Sequence, residues 1–368
     1  MEQIIRKRGS LENLKKAIEN KNARIGFIGG SITDAKNGNN WPYRVTGFLL
    51  EAYPDVKFTI DNVAIGATGS VNGLTRVDKD LIAKKCDVVF VEYAVNDYRL
   101  DEDEEKCRYR RRTREGLIRK LLKANIDVVI VYTYCKEFLD AMAKGEMPVS
   151  IKDLEELAVH YNIPSVWMSL RAFRMMENGM FSMQQWLPDG LHPQEMGGLI
   201  YASAVWDYLK EELASENNEK ILKGENMPAP TDPLCWEETE FVSVDELETK
   251  GPWYKLRETG VFWYDYCLLT TSTKASLTYK FKGRGLLISL NYGKLTGKIC
   301  YRIDGGEEKA HEGIHDDWVK DSGWPLVLVL GENLDGDKEH TLELWLEKSA
   351  LPKAFGTELK INGMTVIK

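Results

Sequence analysis

Short apolar runs alternate with segments of helical period through the first part of the chain. The runs ARIGFIG (23–29), KFTIDNVAI (57–65), DVVFVEYA (87–94), IDVVIVYT (126–133) and PSVWMS (164–169) are rich in Val and Ile. Continuous rather than alternating apolarity suits strands covered on both faces. Between them the helical period predicts helices over 41–53, 71–85, 104–124 and 150–161. A further helix is expected over 194–212, and another over 11–20 leading into the first strand. Strand–helix alternation of this kind predicts parallel strands joined by right-handed crossovers, in a three-layer α/β/α sandwich.

The texture changes after about residue 213. The segment 215–233 is polar and carries three prolines, as a linker or wrapping segment would. Beyond Trp236 the helical period vanishes. Strand-like runs occupy 262–271, 275–282, 285–292, 298–303, 325–330, 339–347 and 358–367, separated by Gly, Asp and Asn turns. That spacing predicts an all-β, jelly-roll-like sandwich. The expected organisation is a catalytic α/β domain over 1–213, a linker over 214–235 and a β-domain over 236–368.

Composition narrows the partners. Hydrophobic residues make up 43% of the chain and charged ones 29%, which excludes long disordered tracts. The net charge of −8 disfavours nucleic acid, whose phosphates need a basic face. A small neutral substrate is compatible with that charge. The N-terminal residues lack the apolar core of a signal peptide, and no run is long enough to span a membrane, so a cytoplasmic location is expected. The six cysteines are scattered, without CxxC or zinc-type spacing, and are expected to be reduced apolar fillers. No cofactor and no metal are expected. The oligomeric state is not legible.

Chemistry concentrates in four short blocks, each placed just past a predicted strand. GGSIT (29–33) holds Ser31 on a glycine turn, and NVAIGATGS (62–70) can present the Gly66 N–H. AVND (94–97) offers the Asn96 side-chain amide, and DGLHP (189–193) carries Asp189 and His192 three positions apart. Open α/β sheets bind ligands beyond the carboxyl ends of their strands, so these blocks should converge. A serine hydroxyl needs a base to take its proton, and an imidazole held by a carboxylate supplies one. The tetrahedral intermediate needs preorganised donors, for which the Ser31 N–H, the Gly66 N–H and the Asn96 amide are candidates. Each block also has a plain structural reading: Ser31 as a helix cap, Asn96 as a turn residue, DGLHP as a helix start. The four in order weigh against that.

These blocks resemble the SGNH (GDSL-type) hydrolases, named for Ser, Gly, Asn and His, over roughly residues 20–210. The resemblance implies a flavodoxin-like α/β sheet and assigns Ser31, Gly66, Asn96 and His192 to the four blocks, with Asp189 completing a triad. Two departures stand out. The usual GDS reads Gly29-Gly30-Ser31, so the Asp is a glycine, and Ala94 stands where the third block starts with Gly. In the second block Ala67 follows Gly66, which leaves the backbone donor open between these two.

The run FKGRGLLISLNYGKLTGKICYRIDGG (281–306) is similar to jelly-roll modules found beside carbohydrate esterases. The two-domain layout resembles bacterial O-acetyl esterases of acetylated manno- or xylo-oligosaccharides, which implies an acylated saccharide as the partner molecule. Trp41, Tyr43, Trp186 and Trp324 are candidate substrate-facing aromatics, with Trp253, Tyr254 and Trp318 as further contributors, and core packing is the alternative for each. Two other functions stay open: a thioesterase or lysophospholipase on the same chassis, and a catalytically dead glycan-binding protein. His160 is expected on a helix end. His311 and His315 are four apart, and a metal site there is not expected. The charged run 101–115 reads as a solvated helix start.

Overall fold

The computed structural model describes residues 2–34, 41–97, 103–258, 261–312, 323–348 and 356–368. Contacts divide the chain into two compact units, Met1–Glu237 and Glu238–Lys368.

In the first unit the order is β1 (Ile5–Arg6), α1 (Glu12–Glu19), β2 (Asn22–Gly29), α2 (Ser31–Asp34), α3 (Trp41–Ala52), β3 (Lys57–Asn62), α4 (Ser70–Val77) and β4 (Val88–Glu92). It continues through α5 (Glu104–Lys123), β5 (Asp127–Val131), α6 (Leu139–Ala143), α7 (Val149–His160), β6 (Ser165–Val166), α8 (Met168–Glu177), α9 (Met183–Trp186) and α10 (Glu195–Ala214). The sheet order is β1-β6-β5-β4-β2-β3, with β2 to β6 parallel and β1 antiparallel at the edge. Every residue of β4 and β5 is buried, as strands covered on both faces require. Helix α10 packs on α3 and α8, and α4 packs on α5. The α/β expectation therefore holds, in the flavodoxin-like order. Chain direction across the sheet reverses between β2 and β4, the position where such sheets open a crevice.

Details differ from the sequence reading for local reasons. The second strand stops at Asn62 rather than 65, because the Asn62 side chain turns back to donate to the Thr33 carbonyl (2.7 Å) and to accept from the Ala64 N–H (3.2 Å). The expected strand over 164–169 is two residues long and passes directly into α8. Ser169 N–H donates to the Tyr132 carbonyl at 3.1 Å, and an apolar run gives no sign of that change. Strand β1 is too short to show a period.

Residues 215–237 wrap the first unit. Ser10 N–H donates to the Glu219 carbonyl (2.8 Å), and Leu222 N–H to the Tyr161 carbonyl (2.9 Å). Lys223 pairs with Asp127, the buried first residue of β5, which also accepts the Asn13 and Leu14 N–H groups that open α1. Burial pushes the Asp127 carboxyl up to about 6 despite that cation. No helix among the described residues is long and apolar enough to cross a membrane.

The second unit is antiparallel throughout. One sheet has the order β15-β12-β17-β10-β9 with β7 also on β17, and the other has β14-β13-β16-β11-β8. The strands are β7 (Thr239–Val242), β8 (Glu248–Lys250), β9 (Tyr254–Leu256), β10 (Cys267–Thr270), β11 (Ser276–Lys282), β12 (Gly285–Tyr292), β13 (Lys298–Ile303), β14 (Lys309–His311), β15 (Trp324–Gly331), β16 (Glu339–Glu347) and β17 (Leu359–Ile367). Strand β16 shows why a sandwich forms: Leu342, Leu344 and Leu346 point inward at period two and join Leu286, Ile288 and Met364 in one core.

His340, on the same inward face of β16, has both ring nitrogens against acceptors. Nδ1 lies 2.7 Å from Asp304 Oδ2, and Nε2 lies 2.9 Å from the Asp335 carbonyl. The bond to Asp304 raises the His340 pKa, and the His340 bond in turn lowers that of Asp304. A raised imidazole stabilises the fold fully below its unfolded pKa, and the contribution fades as pH climbs through the folded one. The stability lost on His340→Gln should accordingly be largest near about pH 6 and shrink toward about pH 9. Melting temperatures of the two proteins across that range check it, and a constant difference would contradict it.

Candidate active site

Ser31 opens α2 immediately after β2, and its hydroxyl reaches the imidazole rather than capping the helix. Ser31 Oγ and His192 Nε2 are 2.8 Å apart, although the residues are separated by 161 positions. His192 Nδ1 lies 2.7 Å from Asp189 Oδ2. Burial works to raise the Asp189 carboxyl, but the His192 backbone N–H, its ring and the Leu191 N–H together hold it below the usual range. An ionised carboxylate at Nδ1 fixes the proton there and leaves Nε2 as the acceptor for the serine proton.

The loop carrying this pair is built by Asp189 itself. Its Oδ1 accepts the Leu191 N–H (3.0 Å) and the His192 N–H (2.7 Å), while Oδ2 is kept for the ring. Gly190 sits at φ +77°, a conformation that favours glycine. Below the loop Trp186 is fully buried, and its carbonyl accepts the Gln194 N–H (3.1 Å).

Ser31 and Asn96 flank the reversal between β2 and β4. Gly29 pairs with Glu92 in the parallel register, so the loops after both strands begin level with each other. The Asn96 amide then lies directly over Gly30: a Cβ at residue 30 would meet Asn96 Oδ1 at 1.7 Å. This explains GGS in place of GDS, since no side chain fits at residue 30 in this backbone. The Ser31 N–H and Asn96 Nδ2 have no hydrogen-bond partner among the described residues. The second-block turn sits alongside, with a Cβ on Gly66 coming within 3.5 Å of Ser31 Cβ. The Gly66 N–H, however, donates to Asp34 Oδ2 at 2.8 Å. Ala67 next to it is exposed, adopts φ +58°, and its N–H has no partner among the described residues.

Charged residues hold these loops from beneath. Asp97, 2% exposed, accepts the Ser70 N–H (3.0 Å) that starts α4 and the Arg114 Nε–H (2.8 Å). Arg114 also donates to the Tyr93 carbonyl (3.2 Å) and to Ser150 Oγ (2.7 Å), and that hydroxyl donates to the Ala94 carbonyl (2.6 Å). The charged run over 101–115 is a solvated helix start only in its first turns, where Asp103, Glu104, Glu105 and Arg108 are exposed; its later part turns inward. Residues 101 and 102 lie outside the described residues, but Arg110, Arg114 and Glu115 are buried. Their presence on the α5 face next to the Asn96 loop is what sequence reading missed. A helical wheel of 104–121 would have set Arg110 and Arg114 on one stripe with Leu117 and Leu121, an apolar face.

The candidate aromatics separate sharply. Trp41 is fully buried between Phe27 and Phe90, with its Nε1–H on Thr33 Oγ1 (3.2 Å), and Trp186 is fully buried against Tyr134 and Tyr201. Both pack the core and offer no face to a ligand, because their rings complete the apolar layers under the loops. Tyr43 is 59% exposed. Trp324 begins β15 in the second unit, half-buried and paired with Tyr292, while Trp253 is partly buried against the sandwich core and Tyr254 is exposed. Trp318 and His315 lie outside the described residues.

His160 ends α7 as expected, its Nε2 on the Ala229 carbonyl at 2.9 Å. All six cysteines are free thiols. Burial pushes Cys86 up to about 12, which makes it inert. The metal-type cluster found among the described residues is Cys300 with Glu308 and Glu347. There burial lifts the thiol to about 11, and Glu347 is taken by Lys298 at 2.9 Å, which suits a metal poorly.

No family model matches the sequence, and no curated protein does either. Among solved structures, the chain superposes on a two-domain esterase active on acetylated mannans with TM-score 0.79 at 22% identity, covering 98% of this chain and 96% of that one. The same esterase co-crystallised with mannopentaose gives the same figures. At that identity the likeness establishes the two-domain fold.

Because Arg114 is 1% exposed and neutralises Asp97 under the Asn96 loop, Arg114→Met would leave a buried carboxylate unpaired. A loss of about 3–5 kcal/mol is expected. Chemical denaturation of the variant measures it, and a change within about 0.5 kcal/mol would show the pair to be dispensable.

Proposed function

We propose that this protein is a serine esterase that removes O-acetyl groups from acetylated oligosaccharides of the manno or xylo type. The observation that carries the reading is the unbroken Ser31–His192–Asp189 chain, with bonds of 2.8 and 2.7 Å, at the sheet's reversal point. His192 Nε2 takes the Ser31 proton as Oγ attacks the acetyl carbonyl. The imidazolium, stabilised by Asp189, returns that proton to the departing sugar oxygen and leaves an acetyl-enzyme. Water, deprotonated by the same Nε2, then adds to the acetyl carbonyl, and acetate leaves as Ser31 regains its proton.

The oxyanion would be held by the Ser31 N–H, Asn96 Nδ2 and a backbone amide of the 66–67 turn. Of the two residues left open by the sequence, Ala67 is favoured. The Gly66 N–H is already bonded to Asp34, and the αL conformation of Ala67 is one a non-glycine residue adopts only when its surroundings impose it. Asp34 thus ties α2 to the turn and leaves the next amide free.

The saccharide substrate rests on fold likeness to an esterase active on acetylated mannans, together with a net charge suited to a neutral ligand. A jelly-roll reading of the second unit, in the manner of a carbohydrate-binding module, agrees with its two antiparallel sheets. A cytoplasmic location belongs to the same proposal.

Acetate release from p-nitrophenyl acetate should fall at least about a thousandfold in Ser31→Ala. Comparison of acetylated mannan, acetylated xylan and acyl-CoA then separates a saccharide esterase from a thioesterase. A folded wild type that releases acyl groups from none of them defeats the proposal. Asn96→Ala is expected to lower kcat by about 10²–10³ while leaving KM nearly unchanged. An equal loss in KM would instead assign Asn96 to substrate binding.

A further inference from the structure

The reaction above makes no use of Glu92, yet this carboxyl lies under the nucleophile turn. Glu92 ends β4 and is 0% exposed. Its Oε2 faces two donors from the Ser31 block, the Gly30 N–H at 3.4 Å and the Thr33 hydroxyl at 3.1 Å. Its Oε1 faces the Thr133 hydroxyl, just past the end of β5, at 2.8 Å. The direction of the Thr33 bond is fixed from outside. Trp41 Nε1–H donates to Thr33 Oγ1, so the Thr33 proton is left for Glu92. Gly29 is tailored to the same group, since a Cβ there would meet the Glu92 carbonyl oxygen at 2.6 Å and Oε2 at 3.0 Å. The carboxyl for which residue 30 has no room is thus present one strand away.

We propose that Glu92 is a positioning residue for the nucleophile: its buried carboxyl clamps Gly30 and Thr33 on either side of Ser31 and so sets the aim of the Ser31 hydroxyl and N–H. The proposal rests on Ser31 being the nucleophile. Burial of a carboxyl is costly, and burial here raises the Glu92 pKa, so the group is retained against its own solvation. An apolar residue would fill the space more cheaply if packing were its role. What an apolar residue lacks is an acceptor for two donors flanking Ser31.

The clamp works through acceptor geometry, and this orders the variants. In Glu92→Gln the amide oxygen can take the Gly30 and Thr33 donors while the NH₂ turns to the Thr133 oxygen, so most activity should survive. Glu92→Leu strands both donors and frees the turn. The test is the rate at which diisopropyl fluorophosphate labels Ser31, read by mass spectrometry, together with kcat and KM on p-nitrophenyl acetate. Expected are a fall of about hundredfold in labelling rate and kcat for Glu92→Leu with KM nearly unchanged, and a rate close to wild type for Glu92→Gln. A folded Glu92→Leu protein that is labelled as fast as wild type overturns the proposal. So does a Gln variant as slow as the Leu variant. Should Glu92→Leu not fold, Thr33→Val and Thr33→Ser replace it: Val is isosteric and should lower kcat about tenfold, and Ser should restore it. Equal rates for those two would also overturn the clamp. Absence of labelling in the wild type speaks against the hydrolase reading itself and is recognised as such, because it precedes any variant.

Discussion

The register between two neighbouring parallel strands underlies everything else in the first unit. Gly29 sits opposite Glu92, so the chain leaves β2 and β4 at the same height and the two following loops lie against each other. A slip of one residue would turn each strand's side chains to the opposite face and carry Asn96 away from Gly30. The tolerance is visible in the 1.7 Å approach of the Asn96 amide to the missing Cβ of residue 30. Glycine there is a condition of the contact. The same height match lets a side chain from the end of one strand support the turn at the end of the other.

Three charged groups around the site share one habit: Asp97, Arg114 and Asp189 each bind backbone as well as a side-chain partner. Asp97 takes the start of α4 along with Arg114, and Arg114 takes the Tyr93 carbonyl along with Asp97. Asp189 divides its two oxygens between loop amides and the imidazole. Loops that carry reactive groups have few apolar contacts of their own, so such bonds are what hold them still. Above these bonds Asp189 and His192 are partly exposed to solvent.

How much of this the sequence disclosed depends on the kind of signal. The strands that became β2, β4 and β5 are continuous apolar runs and were legible, as was the convergence of Ser31 and His192, because topology puts every strand's carboxyl end on one edge. Helix α8 was not legible, since an apolar run that changes from strand to helix carries no mark at the change. Trp41 and Trp186 were open between pocket lining and core packing, because sequence neighbours do not show the three-dimensional layering that buries them. The blind spot was largest for charged residues. Arg114 reads as solvated within its charged run, and Glu92 passes unremarked inside an apolar one; only the packed fold reveals that their partners are inside.

The wrapping segment bears on where the first unit can be cut free. A fragment ended at the composition change near residue 213 would keep Asp127 and lose Lys223. It would keep Glu115 and lose the Thr231 and Asp232 amides that occupy it. It would also leave Arg119 without Glu237. Three interior charges would lose their partners at once. The contact boundary lies after Glu237, so of the two readings of the polar, proline-bearing stretch, linker or wrapping segment, the second fits: it is a strap of the first unit.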